Sequence, residues 1–415
     1  MNKDIKISVK NLYKVFGANV KQAMKMLDEG HEKTHIHEKT GATVGVQSAS
    51  FDIRPGEIFV IMGLSGSGKS TMVRMLNRLI EPTSGQVLID GEDITAMSDD
   101  ELVKMRRKKM SMVFQSFALM PHLTVLQNAA FGLELDGADK KAREDRALEA
   151  LDQVGLAPYA QSFPKELSGG MQQRVGLARG LAVDPDILLM DEAFSALDPL
   201  IRTEMQDELL KLQAKVKRTV VFISHDLDEA MRIGDRIAIM EGGSVVQVGT
   251  PEEILQNPAD DYVRAFFRGV DPTNILTAGD IASDTQVTII ATDGKNPRAA
   301  LQRLIKNDRE YGYVIDTDHK YLGLVSADGL RAMIDRSDHE LRLSDAYIKD
   351  VTAASAGASL QDILPEVATH SSPLPIIDEN GKYLGAISKN LFLKTLHRNQ
   401  PEDMPDTDQA EKEEV

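Results

Sequence analysis

The sequence predicts an α/β fold: a sheet of buried strands alternating with helices, followed by a pair of smaller α/β modules. Short apolar runs such as DILLM (186–190) and RTVVFIS (218–224) are typical of strands buried on both faces of a parallel sheet. Helical patterns lie between such runs, at 140–154, 168–182 and 199–215. KYLGLVS at 320–326 recurs as KYLGAIS at 382–388, which indicates a duplicated module.

Composition excludes several classes of protein. The chain has 415 residues, which is enough for two or three domains. It has no cysteine, so it forms no disulfide and no thiolate site, as suits a reducing compartment. A net charge of −16 argues against a general nucleic-acid binder, and we expect no nucleic-acid partner. Without an apolar run of about eighteen residues or a signal-type N-terminus, a membrane role would depend on a partner.

The N-terminal region predicts strands interrupted by an insertion. IKISVKNLYKVFG (5–17) reads as a strand with its turn, and VGVQSASFDI (44–53) and GEIFVIMG (56–63) as further strands. Residues 17–42 form a polar, charged, helix-like insertion between them. We therefore treat residues 17–42 as an insertion between strands and not as part of the sheet.

Within the insertion, HEKTH (31–35) matches H-E-x-x-H, the spacing of a zinc-protease helix. A catalytic zinc site needs a buried helix face and a third protein ligand, whereas this segment is polar all round. We predict that His31, His35 and His37 face solvent and hold no metal.

GLSGSGKST (63–71) matches the phosphate-binding loop G-x-x-x-x-G-K-[ST] and lies between an apolar strand and a helical pattern. Glycines allow successive backbone N–H groups to curl around phosphate oxygens, and the helix N-terminus favours the same anion. Lys69 is predicted to reach the β- and γ-phosphates and Ser70 to bind Mg²⁺. The predicted nucleotide-binding residues of the loop are Gly63, Ser65, Gly66, Gly68, Lys69, Ser70 and Thr71.

The helix that follows the loop has apolar residues at helical spacing. These are Met72, Met75, Leu76 and Leu79, which predict an amphipathic helix.

Two carboxylates follow the apolar run at 186–190. Asp191 suits the acid that holds Mg²⁺ in a phosphate-loop enzyme. Glu192 is placed to polarise an attacking water as a general base. The pair predicts that the loop serves nucleotide hydrolysis.

LSGGMQQR (167–174) predicts a second anion-binding surface. Ser168 is a good N-cap, and Gly169 and Gly170 leave the N–H groups of a helix start bare. One chain does not need two such surfaces for one nucleotide.

These motifs together resemble the ABC transporter ATPases over about residues 5–268. The resemblance implies a mixed sheet with a helical subdomain, and it identifies LSGGMQQR as the signature motif. In this family the signature of one subunit closes on the ATP of the other, which implies a homodimer with two composite sites.

The resemblance also implies roles for single residues. Gln115 in MVFQSF is similar to the Q-loop glutamine, Asp198 in SALD to the aspartate at the dimer seam, and His225 in FISHD to the switch histidine at the γ-phosphate. Phe16 falls where the family stacks an aromatic ring on adenine, with Tyr13 as the alternative. The implied catalytic residues are Glu192, His225 and Gln115, and the implied Mg²⁺ ligands are Ser70, Gln115 and Asp191.

NLYKVFG with its insertion, the ATPase core and the duplicated module closely resemble the ATP-binding subunits of glycine betaine/proline-type osmoprotectant importers. This implies ATP hydrolysis at the cytoplasmic face of the cell membrane, where the chain is peripheral, with a transmembrane permease that is separate from or fused to a substrate-binding domain. In that subfamily the C-terminal pair is a tandem of CBS domains, implicated in gating by ionic strength or cyclic di-AMP. The alternatives are an ABC-type ATPase without a transporter, and a tandem that serves only as a structural dimerisation module.

The predicted domains are an ATPase domain at 1–268, CBS domains at 275–337 and 340–398, and an acidic tail at 399–415 that we expect to be disordered. Each copy reads as strand, turn, strand, helix.

Ser326, Asp328 and Ser388 are the candidates for a regulatory cleft. The common nucleotide pattern of CBS pairs has an acid three residues after the serine, but here it is shifted to Asp328 in the first copy. In the second copy it is absent, since Lys389, Asn390 and Leu391 follow Ser388.

Overall fold

The computed structural model describes residues 5–114, 118–195, 197–267, 273, 275–291, 297–336 and 342–397. The chain splits into two compact units, Met1–Arg264 and Ala265–Val415. Gln115 and the predicted tail at 399–415 lie outside the described residues. Among the helices that are described, none has the length and apolar character needed to cross a membrane.

The strands and helices follow the predicted alternation. The strands are β1 (Ile7–Phe16), β2 (Thr43–Ile53), β3 (Ile58–Met62), β4 (Ser84–Ile89), β5 (Glu92–Asp93), β6 (Met110–Val113), β7 (Ile187–Asp191), β8 (Thr219–Ser224), β9 (Arg236–Glu241), β10 (Ser244–Gly249), β11 (Thr288–Ile290), β12 (Tyr311–Ile315), β13 (Tyr321–Ser326), β14 (Ala354–Ser355), β15 (Leu374–Ile377) and β16 (Tyr383–Ile387). The helices are α1 (Val20–Asp28), α2 (Lys33–Thr40), α3 (Lys69–Leu76), α4 (Asp99–Lys109), α5 (Val125–Leu135), α6 (Lys140–Gln153), α7 (Gly169–Ala182), α8 (Pro199–Lys215), α9 (Leu227–Ile233), α10 (Pro251–Gln256), α11 (Asp261–Phe266), α12 (Ala278–Ile281), α13 (Pro297–Lys306), α14 (Ala327–Arg336), α15 (Leu360–Thr369) and α16 (Lys389–His397). Short 3₁₀ turns occur at Ala157–Tyr159, Pro164–Glu166 and Leu343–Ala346.

The first unit contains a mixed sheet in the order β10-β9-β3-β8-β7-β6. Its strands pair in parallel except for β10, which runs antiparallel to β9. Every residue of β3, β7 and β8 is buried, as their continuous apolar runs predict. A second sheet, in the order β2-β1-β4-β5, is antiparallel. The predicted α/β class with a mixed sheet is confirmed.

Helix α3 packs its apolar face into the core between the sheets. Met72, Met75 and Leu76 are fully buried, as predicted. Leu79 lies beyond the end of the helix and is 53% exposed, so the helical spacing does not extend to it. The helix ends at Leu76, and Arg78 takes a left-handed φ of 55° that turns the chain out of the helical path before Leu79.

The insertion at 17–42 is a pair of short helices between the paired ends of β1 and β2, where Phe16 lies opposite Thr43. His31, His35 and His37 are exposed, as predicted. The expectation of a segment that is polar all round is wrong, because Ile36 is fully buried. The small cluster that encloses it consists of Val15, Ala23, Met26, Ile36, Ala42 and Val44.

The second unit is built from two copies of one small motif. β12 and β13 are antiparallel and β11 runs parallel to β12; β15 and β16 are antiparallel and β14 runs parallel to β15. Each copy therefore has the predicted strand, turn, strand and helix, and a preceding strand and helix that the repeat did not indicate.

The repeated KYLG stretches pair with each other. The N–H of Tyr321 donates to the Gly381 carbonyl at 3.0 Å, and the N–H of Tyr383 donates to the His319 carbonyl at 2.9 Å. Lys320 and Lys382 form the antiparallel bridge between them. The reciprocal bonds relate the two copies by a local pseudo-twofold axis, and the duplicated stretch is the seam that joins them.

Candidate nucleotide site

The phosphate loop is shaped by positions that only glycine fits. Gly68 caps α3 with a left-handed φ of 100°, and a Cβ there would lie 2.4 Å from the Gly45 carbonyl oxygen. A Cβ on Gly63, whose φ is 149°, would lie 2.1 Å from the Met240 carbonyl oxygen. The backbone therefore passes so close to its neighbours that any side chain would displace the loop.

Lys69 is held inside the loop. Its side chain is buried, and its Nζ donates to the carbonyls of Gly63 at 2.9 Å and Leu64 at 3.0 Å. Burial lowers the pKa of Lys69, while Glu192 and Asp191 act in the opposite direction. The loop thus presents a desolvated cation beside its bare N–H groups, which suits a phosphate.

Asp191 lies at the buried end of β7 and joins the loop to the sheet. Its Oδ1 accepts a hydrogen bond from the Ser70 hydroxyl at 2.9 Å, and its Oδ2 lies 3.1 Å from Nη2 of Arg74. Two hard oxygen ligands, Ser70 Oγ and the Asp191 carboxylate, therefore lie together, and this donor set fits Mg²⁺. Arg74 was missed by the sequence reasoning, although its i,i+4 spacing from Ser70 on α3 was readable.

Glu192 sits on a strained turn. Its φ of 47° is rare for a residue with a side chain, and its carbonyl accepts hydrogen bonds from the Ser195 N–H at 3.2 Å and hydroxyl at 3.0 Å. Its carboxylate lies 3.8 Å from Nδ1 of His225, which directly follows β8. The turn aims an acid and an imidazole from adjacent strands at the same space.

That space is a cavity of about 700 Å³ beside the loop, a size that suits a nucleotide. Ten of the predicted residues line it: Phe16, Gly63, Ser65, Gly66, Gly68, Lys69, Ser70, Thr71, Glu192 and His225. Thr43, Val44, Gly45 and Leu64 line it as well and were not predicted. Tyr13 does not, which favours Phe16, 39% exposed, as the aromatic of this site.

The predicted signature residues lie outside this cavity. Ser168 caps α7 by accepting from the Met171 N–H at 3.3 Å, and Asp198 caps α8 by accepting from the Ile201 N–H at 3.1 Å. Neither they nor Gly169 and Gly170 line the cavity of their own chain. The predicted helix start is therefore present, and it lies outside the ATP cavity of its own chain.

In the second unit, Ser326 and Asp328 line a separate cavity of about 550 Å³. Ser388 is not among its lining residues. Its hydroxyl accepts from the Leu391 N–H at 3.1 Å, just as the Ser326 hydroxyl accepts from the Gly329 N–H at 3.0 Å. Both serines thus act as caps of the helices that follow them, and of the two only Ser326 lines this cavity.

The charge of the second cavity is negative. Its walls carry the carboxylates of Glu310, Asp328 and Asp350, and no lysine or arginine is found among its lining residues. His370 also lines it, with Nε2 2.5 Å from the Asp350 carbonyl oxygen and Nδ1 3.0 Å from the Glu366 carbonyl oxygen. These two carbonyls raise the pKa of His370, because only the doubly protonated ring donates to both.

The site combines a glycine loop and its buried lysine, a serine paired with an aspartate at a strand end, and a strained glutamate beside a histidine. Together these features define a phosphate-loop ATPase of the ABC type. The sequence model of the ABC transporter family matches residues 46–195. The chain is 60% identical over 395 residues to the glycine betaine/proline betaine transport system ATP-binding protein ProV of Salmonella typhimurium, covering 95% of this chain and 98% of that protein. It is 50% identical to the glycine betaine transport ATP-binding protein OpuAA of Bacillus subtilis, covering 96% and 94%. The dimeric structure of MJ0796, a bacterial ABC transporter cassette, is 36% identical with a TM-score of 0.51, covering 59% of this chain and 98% of that one.

The chain therefore belongs to the ABC transporter family, as the ATP-binding subunit and ATPase of a transport system.

Proposed function

We propose that this chain hydrolyses ATP to power the import of glycine betaine, or of a related quaternary amine or proline osmoprotectant, through a partner membrane permease. The observation that carries the proposal is the 60% identity that extends along 98% of ProV, and so through both compact units. The permease, separate from or fused to a substrate-binding domain, would hold the chain at the cytoplasmic face of the cell membrane.

Uptake into vesicles tests this proposal. The chain is reconstituted with the permease of a glycine betaine importer, with ATP inside the vesicles and labelled glycine betaine outside. We expect ATP-dependent uptake that excess unlabelled glycine betaine or proline betaine abolishes, and that uncharged sugars leave unchanged. ATP hydrolysis that never couples to a permease would favour the alternative, an ABC-type ATPase outside transport.

We propose the following roles in the ATP site, which its geometry supports. Lys69 and the bare N–H groups of the loop bind the phosphates, and Phe16 stacks on the adenine. Ser70 and Asp191, with Gln115 from outside the described residues, would hold Mg²⁺, which neutralises charge that develops on the phosphates. Glu192 accepts the proton of the attacking water, and His225 orients the reacting end of the nucleotide.

We also propose that the working form is a homodimer. The support is that Ser168, Gly169, Gly170 and Asp198 all lie outside the ATP cavity of their own chain. The first three form the start of α7, and Asp198 caps α8. A second copy related by a twofold axis would bring these residues to the first copy's nucleotide. Sedimentation of Glu192→Gln with ATP should show a dimer that Ser168→Arg prevents. A monomer under both conditions would contradict the composite site.

For the second unit we propose regulation by ionic strength or by cyclic di-AMP, with 275–337 and 340–398 as CBS domains. The reciprocal pairing of the KYLG stretches supports a single two-copy unit. Its negative cavity favours ionic strength over a dinucleotide with two anionic phosphates, since its carboxylates would repel such a ligand. Uptake measured across internal salt, with and without cyclic di-AMP, separates the two. Uptake that responds to neither would leave the tandem as a dimerisation module.

A further inference from the structure

The insertion at 17–42 holds a lysine whose contacts the ATPase motifs do not explain. Lys33 is the first residue of α2, and its Nζ donates to the carbonyls of Val44, at 3.3 Å, and of Gly242. It forms no ion pair with a carboxylate of the residues that the structure describes. A partly buried ammonium held only by backbone carbonyls loses hydration, so its position has to be maintained by those carbonyls.

Both carbonyls precede glycines that lie against the phosphate loop. The residue after Val44 is Gly45, whose carbonyl oxygen fills the space where a Cβ of Gly68 would be, at 2.4 Å. The residue after Gly242 is Gly243, whose N–H donates to the Ser67 carbonyl at 2.9 Å. Ser67 and Gly68 are the last residues of the loop before α3. Lys33 is therefore linked to the phosphate-binding loop on two sides, in each case through one glycine that follows the carbonyl it contacts.

The segments that contain Val44 and Gly242 are also hydrogen-bonded to each other. The Gln47 N–H donates to the Gly243 carbonyl at 2.9 Å, and the Gln47 side chain donates to the Ser244 hydroxyl at 2.9 Å. Val44 and Gly45 also line the ATP cavity directly. Lys33 therefore closes a ring of contacts that runs from β2 through the β9–β10 turn to the loop.

Helix α2, which carries Lys33, is itself anchored. Ile36, one turn along α2 from Lys33, is fully buried between β1 and β2. The Thr40 hydroxyl donates to the Ile36 carbonyl at 2.6 Å, and the Asn19 amide donates to the Thr40 carbonyl at 2.9 Å. The helix is thus fixed to the sheet, and the lysine extends from a rigid base.

We propose that Lys33 is a positioning residue of the phosphate loop, and that through it the insertion supports nucleotide binding. It holds the carbonyls of Val44 and Gly242 in place, and these fix Gly45 and Gly243 against Gly68 and Ser67. Removing the ammonium lets both segments relax and loosens the loop before a nucleotide binds. The proposal concerns ATP affinity alone, so it stands or falls independently of the cargo that the permease carries.

Steady-state ATPase kinetics and nucleotide affinity of the full chain test it, with a fluorescent ADP derivative as the binding probe. Lys33→Met should raise both the KM for ATP and the dissociation constant of the probe about tenfold, while kcat stays within about twofold. Lys33→Arg, which keeps a cation, should restore the KM to within about threefold of the wild type. The control is Lys25→Met on α1, because Lys25 is 78% exposed and its one ion pair within the described part of the chain is with Glu29; it should match the wild type.

A KM for Lys33→Met equal to that of Lys25→Met would overturn the proposal. So would parallel losses of kcat and of ATP affinity with a lowered melting temperature and no rescue by arginine, since that pattern belongs to a purely structural residue. If Lys33→Met does not fold, Lys33→Gln decides. Its amide keeps a neutral donor, and a KM about threefold above the wild type supports the proposal, while an unchanged KM refutes it.

Discussion

The cavity beside the phosphate loop and the cavity in the duplicated region differ in what they offer a ligand. The first combines bare backbone N–H groups and a buried lysine with two carboxylates held back at a strand end. The second presents three carboxylates and one histidine at its walls. The first was predicted as a nucleotide site from a motif, whereas the second was predicted as a regulatory cleft from the resemblance of the repeat to CBS pairs. A repeat therefore predicts architecture, whereas a phosphate site needs hydrogen-bond donors that the repeat does not supply.

The largest effect should come from Glu192→Gln in the first cavity. The amide keeps the size of the side chain and cannot accept the water's proton, so ATP hydrolysis should fall about 10³-fold while ATP binding persists. Phosphate release and binding of a fluorescent ATP derivative measure the two quantities. Glu144→Gln on α6, where the side chain is 41% exposed, removes a similar charge and should leave both unchanged. Near-normal turnover by the first variant would remove Glu192 as the general base.

Gly68→Ala tests whether the loop depends on its close backbone contact. The added Cβ would meet the Gly45 carbonyl oxygen at 2.4 Å with a φ of 100°, so nucleotide affinity should fall about a hundredfold. Gly137→Ala is the matched control, because its φ is 79° and no atom lies within 4 Å of the added carbon.

Calorimetry with ATP on both glycine variants would decide. Equal affinities would show that the close approach of residue 68 to the Gly45 carbonyl does not set the shape of the loop.

These two variants rest on residues that the sequence could identify. A phosphate loop is a contiguous motif between a strand and a helix, so its residues and Asp191 and Glu192 at a neighbouring strand end could be placed from local pattern alone. The structure joins Ser70 to Asp191 across 121 positions of the chain, in agreement with that expectation.

The parts that sequence reasoning missed depend on distant backbone. Lys33 contacts Gly242 across 209 positions, and no local pattern indicates that an exposed-looking lysine meets a turn between two later strands. The burial of Ile36 was not predicted for the same reason: its neighbours in the sequence are polar, and burial depends on the residues that pack against it. Ser388 repeats Ser326 in sequence, yet of the two only Ser326 lines the cavity of about 550 Å³.

The charge of the second cavity can be tested directly. Glu310→Gln with Asp350→Asn removes two carboxylates from its walls, so cyclic di-AMP should bind about five- to tenfold more tightly at low salt if it binds there. Calorimetric titration of the full chain measures this. Asp318→Asn with Glu379→Gln makes the same change of charge at exposed turns outside the cavity and should have little effect. Equal responses of the two pairs would place the dinucleotide elsewhere.

The smallest expected effect concerns His370 in the second cavity, and it is a dependence of stability on pH. Its hydrogen bonds to the Asp350 and Glu366 carbonyls raise its pKa in the folded chain, so folding favours the protonated ring. The stability it contributes is fully present below the ordinary histidine pKa of about 6.5 and is lost as pH rises through the raised value. The melting temperature of the second unit should therefore fall by roughly 1–2 °C more between pH 6 and pH 8 in the wild type than in His370→Gln. His122→Gln, an exposed position in the first unit, should keep the wild-type dependence. If His370→Gln keeps it too, the ring does not bridge the two carbonyls in solution.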